Sequence, residues 1–183
     1  MNGPGTLRWS IPNGDLVAAP VAAALRSWPA HVLAAPIDPA LADTAAFCER
    51  YEVAPEDSAN CVVVAGRRGG EERIAACVVR ADTRADVNTL VKRTLDVRKA
   101  SFLAMQRAVE ETGMEYGGIT PVGLPAPWRL LVDAAVTEIP VAIIGSGVRR
   151  SKLLLAGSLL GELPGVEVLA DLGIPGARPG ESG

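Results

Sequence analysis

Two rhythms of apolar and polar positions run along the chain. Cys61-Val62-Val63-Val64-Ala65 and Arg73-Ile74-Ala75-Ala76-Cys77-Val78-Val79 are β-rich runs separated by a segment, residues 66 to 72, that holds three glycines and Arg67-Arg68. Such a pair reads as a hairpin with a basic, glycine-rich loop. His31 to Ile37 reads as a short strand, Leu130 to Asp133 and Val141 to Ile144 as buried strands, and Ser151 to Leu155 as another. Helical spacing marks Val17 to Trp28 despite Pro20, the segment Ala45 to Tyr51 behind an Asp43-Thr44 cap, and Asp86 to Leu95. Met105 to Thr112 reads as a helix that Gly113 stops, and short helices fit Ala134 to Val136 and Ala156 to Leu160. Residues 1 to 15 show no period, and Gly, Pro, Ser and charge dominate from Gly173 onward. This order of elements predicts an α+β fold in which a mixed, curled, barrel-like sheet surrounds a pocket and helices lie outside. The expected organisation is an N-terminal arm with a helix over 1–29, one domain over 30–172 and a flexible tail over 173–183.

With 183 residues, 49% of them hydrophobic, the chain can bury one sizeable core. No apolar run approaches the ~18 uninterrupted residues of a membrane helix, and no secretory signal opens the sequence, so a cytoplasmic protein without a membrane partner is expected. A net charge of -3 excludes a generic polyanion binder. Local basic spots remain at Arg67-Arg68, at Lys92-Arg93 with Arg98-Lys99, and at Arg149-Arg150 with Lys152. Three widely spaced cysteines, Cys48, Cys61 and Cys77, suit neither a disulfide framework nor a zinc site and read as buried thiols. The only histidine, His31, heads an apolar stretch and reads as a strand end; one imidazole excludes a metal centre built on several. Neither a metal nor another cofactor is expected.

The densest chemical signal is Gly117-Gly118-Ile119-Thr120-Pro121-Val122-Gly123. Three glycines and a proline fix a tight turn that presents bare backbone to a ligand. Asp133 ends a buried strand, and Gly145-Ser146-Gly147 follows another with Arg149-Arg150 behind it. This spacing matches neither the GxGxxG dinucleotide pattern nor a GxxxxGK[ST] phosphate loop. Ser146 lacks the GxSxG setting of a nucleophile elbow. Asp133 has two readings, a carboxylate that steers a substrate amino group and a cap on the following helix.

The stretch Glu111-Thr112-Gly113-Met114-Glu115-Tyr116-Gly117-Gly118-Ile119-Thr120-Pro121-Val122-Gly123-Leu124, with Leu131-Val132-Asp133 and Gly145-Ser146-Gly147-Val148-Arg149-Arg150, resembles the YbaK family of aminoacyl-tRNA deacylases. Those proteins are related to the editing domain of bacterial prolyl-tRNA synthetase, and the resemblance covers roughly residues 30 to 172. It implies that fold and the hydrolysis of the ester between a wrongly attached small amino acid and the 3' end of a tRNA, with tRNA(Pro) one candidate. Asn60, Gly117 and Asp133 are then the expected catalytic positions. Gly118, Ile119, Thr120, Pro121, Gly145, Ser146 and Gly147 are expected to bind substrate, and Arg67, Arg68, Arg149 and Arg150 the tRNA. An aminoacyl-tRNA synthetase and a second copy of the chain are further expected partners.

One position departs from the family pattern. Where relatives carry lysine in a Lys-Thr/Ser-Leu run, this chain reads Ala59-Asn60-Cys61-Val62-Val63. An amide orients a ligand oxygen but supplies neither positive charge nor an ammonium donor. Three readings follow: Asn60 serves a different amino acid, a neighbouring base such as Arg80 or Lys152 supplies the charge, or the protein binds aminoacyl-tRNA or a small metabolite without hydrolysing it. Cys61 beside Asn60 is a thiol without a neighbouring histidine to activate it.

Overall fold

The computed structural model describes residues 4–28 and 31–176. Its strands are β1 (Leu33–Pro36), β2 (Ala59–Arg68), β3 (Glu71–Arg80), β4 (Thr83–Ala85), β5 (Ala100–Phe102), β6 (Arg129–Asp133), β7 (Ala142–Gly145), β8 (Ser151–Leu155), β9 (Val166–Leu169) and β10 (Gly173–Pro175). Its helices are α1 (Ala19–Ser27), α2 (Thr44–Tyr51), α3 (Lys92–Thr94), α4 (Met105–Thr112) and α5 (Ala134–Thr137).

The hairpin of β2 and β3 dominates the larger sheet. Its turn is tighter than the glycine content suggests, because only Gly69 and Gly70 lie outside the strands and both take positive φ, +59° and +86°. Two such residues match the twist of the flanking strands, so Gly66, Arg67 and Arg68 stay in the ladder. Strand β6 pairs parallel to β3, β9 parallel to β6, and β5 antiparallel to β2, giving the order β5-β2-β3-β6-β9. A second, antiparallel sheet runs β1-β8-β7, and β4 pairs with β10. The fold is thus mixed α+β, and its strands form three open sheets rather than one closed barrel.

Period-two burial explains how the two larger sheets share a core. Ala76 and Val78 of β3 and Leu130 and Val132 of β6 face one cluster with Ile144, Leu153 and Leu155 from the second sheet. The alternate residues Ala75, Cys77 and Leu131 face the opposite side, where Val87, Val91 and Leu95 cover them. Likewise Ile143 and Leu154 turn away from the shared core to meet Phe47 of α2. Both faces of each sheet are buried, hence the continuous apolar runs.

Three expectations change. Residues of the N-terminal arm are integral: Val21 is completely buried in the shared core, and Leu7 and Trp9 pack beside Phe47. Pro20 sits in the first turn of α1, where a missing N–H breaks no helical hydrogen bond. The tail boundary also moves, since Gly173–Pro175 pairs with β4; residues 177–183 lie outside the described ones. Finally, Val87–Val91 forms a π-helical turn that leads into α3, with the Asp86 carboxylate accepting from the Thr89 and Leu90 amides at 3.1 Å. Among the described residues, no helix is long and apolar enough to cross a membrane.

Trp9→Ala tests whether the arm is structural. Emptying so large a buried site costs about 3 kcal/mol, and a lower urea midpoint at unchanged slope is the expected result.

Candidate functional site

A cavity of about 480 Å3 opens between the two larger sheets. Ala42, Asp43 and Thr44 at the start of α2 form one side, and Asn60 to Val63 of β2 form another. Phe102, Leu103, Met105 and Ala108 close it from β5 and α4, while Tyr116, Gly117, Ile119, Gly145 and Lys152 complete the wall.

The glycine wall is backbone packed on backbone. A Cβ on Gly118 would stand 2.7 Å from the Val148 carbonyl carbon, and one on Gly145 would stand 2.6 Å from the Gly118 carbonyl oxygen. Hydrogen bonds close the contact: Gly147 N–H donates to Gly118 O at 2.7 Å, Glu115 N–H to Gly147 O at 2.8 Å, and Gly118 N–H to Glu115 O at 2.9 Å. Gly117 takes φ +79°, which side chains resist. Arg149 fastens the outside of this loop by donating to Tyr116 O at 3.1 Å and Pro39 O at 3.0 Å, while its own amide donates to the Glu115 carboxylate at 2.6 Å. Gly117 and Ile119 line the cavity, and their amides find no protein acceptor among the described residues.

Asn60 faces this wall from β2. Its Oδ1 accepts the Thr44 hydroxyl at 2.6 Å, which leaves its NH2 group to donate elsewhere. Lys152 enters from β8, where its register partner in β7 is Gly145. Lys152 is 93% buried, its Nζ donates to Ala42 O at 3.2 Å and lies 5.0 Å from the Phe47 ring centre, and no carboxylate stands within 4 Å among the described residues. Burial lowers its pKa from 10.5 to about 8, with Arg149 adding to the lowering and Cys48 and Asp43 opposing it.

Other expected site residues take different places. Asp133 lies outside the cavity lining; its carboxylate caps α5 by accepting Ala135 N–H at 2.8 Å and also accepts Gly173 N–H. The helix-cap reading therefore describes its contacts. Thr120, Pro121 and Val122 turn inward and are buried, and Gly123 backs onto α1 through Pro20. Ser146 is fully buried, its hydroxyl 2.7 Å from that of Ser151, so it pins the turn from behind. Arg67 and Arg68 are exposed at the hairpin end, roughly 25 Å along β2 from Asn60 at ~3.3 Å per residue. They pair with Glu72 and Asp96. Arg150 donates to Asp15 O at 2.8 Å on the far side of the loop.

Arg80 is engaged by Asp82 through two hydrogen bonds, which leaves Lys152 as the base that reaches the cavity. Cys61 also lines it, but burial pushes its thiol far up, against thiolate formation. His31 is exposed and lies elsewhere. No three His, Cys, Asp or Glu side chains converge as metal ligands among the described residues. Thr44, Phe102, Met105, Ala108 and Tyr116 escaped the sequence reading. Only Tyr116, directly before Gly117, carried a usable signal.

Residues 38–162, more than half of the chain, match the family described as aminoacyl-tRNA editing domain. The chain belongs to that family. Among solved structures this editing domain is similar to the hypothetical protein APE2540, with 21% identity, a TM-score of 0.71, and coverage of 85% of this chain and 99% of the other. It is also similar to a candidate trans-editing enzyme for prolyl tRNA synthetase, with 18% identity, a TM-score of 0.70, and coverage of 82% and 93%. At these identities the likeness establishes the fold. No significant match is found among curated proteins.

Burying Lys152 has a measurable cost. Its folded pKa lies below its unfolded one, so between pH 8 and 10.5 the unfolded chain holds the extra proton and rising pH favours folding. The penalty is present in full below pH 8 and corresponds to about 3 kcal/mol at ~1.4 kcal/mol per tenfold. Urea unfolding of the wild type against Lys152→Met should show the wild type gaining on the variant across this window.

Proposed function

We propose that this editing domain is a trans-acting deacylase that hydrolyses the ester joining a small amino acid to the 3' end of a mischarged tRNA. The observation that carries this reading is one cavity lining that holds Gly117 and Ile119, whose amides have no protein acceptor among the described residues, Asn60 with an uncommitted NH2 group, and apolar side chains. Preorganised donors suit a carbonyl oxygen that gains negative charge as water attacks, and they require no reorganisation at that moment. Val62, Val63, Leu103 and Ile119 suit a small uncharged side chain. At the mouth, Phe102 and Tyr116 are 65% and 59% exposed, a position suited to stacking the terminal adenine. Arg149, bound to the same loop, is the arginine best placed to meet the phosphate that follows. A synthetase that releases mischarged tRNA and a second copy of this chain are compatible partners in this reading.

Release of free amino acid from Ala-, Ser-, Cys- and Thr-charged tRNAs, mischarged tRNA(Pro) included, is the direct assay. At least one substrate should be cleared. Gly117→Ala should slow that clearance about tenfold or more, because a side chain there strains the backbone and collides with the Arg149 guanidinium. Saturable, salt-sensitive tRNA binding with no release from any substrate would instead identify a binding module.

A further inference from the structure

We propose that Lys152 is a catalytic residue of this cavity, its ammonium binding the ester carbonyl oxygen. The inference rests on the deacylase reading and adds a charged group that the glycine loop lacks. Among the described residues Lys152 is the only cationic one lining the cavity, it is 93% buried, and only one of its three N–H donors has a protein acceptor there, the Ala42 carbonyl. A buried ammonium without a carboxylate is unfavourable for folding, and an apolar side chain of similar length would fill the site at lower cost. Its retention is therefore explained by a ligand atom that carries negative charge only when bound or reacting.

The surrounding groups fit that role. Gly145 lies beside Lys152 in the β7–β8 register and carries the glycine wall, so the ammonium and the loop amides border the same space. In the same lining, Asn60 has its Oδ1 occupied by Thr44, which leaves its NH2 group as a donor. The charged and titratable groups around Lys152 are Asp43 ahead of α2, Cys48 on α2 and Arg149 ahead of β8. None is a carboxylate within ion-pair distance.

In the step envisaged, water oxygen bonds to the carbonyl carbon and the carbonyl oxygen takes up the electron pair. The tetrahedral species collapses by breaking the bond to the ribose oxygen, which leaves with the proton water gave up. The products are a free amino acid and a ribose hydroxyl. Lys152 keeps its proton throughout and acts by charge.

The test compares wild type, Lys152→Met and Lys152→Gln in single-turnover release of amino acid from the substrate found above, between pH 6 and 9.5, with spontaneous hydrolysis subtracted. Lys152→Met is expected to melt at or above the wild-type temperature below pH 8, yet to lose about 100-fold in rate with half-saturation changed less than threefold. The wild-type rate should decline as pH rises past about 8, and that decline should vanish in both variants. A rate within threefold of wild type, or a loss of activity that merely tracks a lower melting temperature, overturns the proposal. If neither variant folds, a wild-type rate that does not decline above pH 8 overturns it as well. Absence of release by the wild type from every charged tRNA refutes the deacylase reading itself, whereas wild-type release with active variants refutes Lys152 alone.

Discussion

The contact between the Gly117–Gly123 turn and the Gly145–Gly147 turn holds the candidate site in shape. Two backbones approach so closely that neither Gly118 nor Gly145 has room for a methyl group, and the Gly147 amide bonds the Gly118 carbonyl across the gap. The approach has consequences in two directions. Inward, it seats Thr120 to Val122 in the shared core and brings Gly123 against α1, so the turn is anchored by the N-terminal arm. Outward, Gly117 and Ile119 line the cavity with amides that have no protein acceptor among the described residues. A rigid surface of bare amides is obtained because the side chains that would cover it are absent.

Much of the fold is legible in the sequence because period-two burial and capping are local. Asp43 accepts the Ala45 amide, and Gly113 ends α4 with φ +65°, as their positions predict. The failures share one cause, which is that pairing partners lie far away along the chain. Gly173–Pro175 looks like tail until β4, some ninety residues earlier, offers it a ladder. Trp9 looks like part of an aperiodic arm until Phe47 and Leu154 surround it. A barrel-like sheet follows naturally from many short strands, but the β2–β3 hairpin and the β1-β8-β7 sheet close only their own edges.

The site shows the same division. The glycine turn stands out because its composition is unusual over a few residues, and family membership follows from it and its companions. Asp133 could not be resolved from sequence, since a carboxylate at a strand end looks the same whether it meets a ligand or the amides of α5 and Gly173. Lys152 presents the opposite difficulty. Beside Arg149-Arg150 it reads both as one more basic spot and, with Arg80, as a base that could supply the missing charge, and only the register of β8, with Leu153 in the shared core and Leu154 under α2, turns it inward.

That inward turn bears on the asparagine at position 60. An amide and an ammonium in one cavity lining together offer what a single lysine offers alone, hydrogen-bond donors and a positive charge, but they divide the two between β2 and β8. Division changes the physics of each part. Asn60 carries no charge, so it sits half-buried on β2 at little electrostatic cost while its Oδ1 accepts the Thr44 hydroxyl. Lys152 sits deeper, where low dielectric strengthens its pull on a developing oxyanion and also lowers its own pKa toward neutrality. The burial that destabilises the folded chain below pH 8 is therefore the same burial that would make this ammonium effective. A less buried lysine would be cheaper for the fold and weaker at the ester.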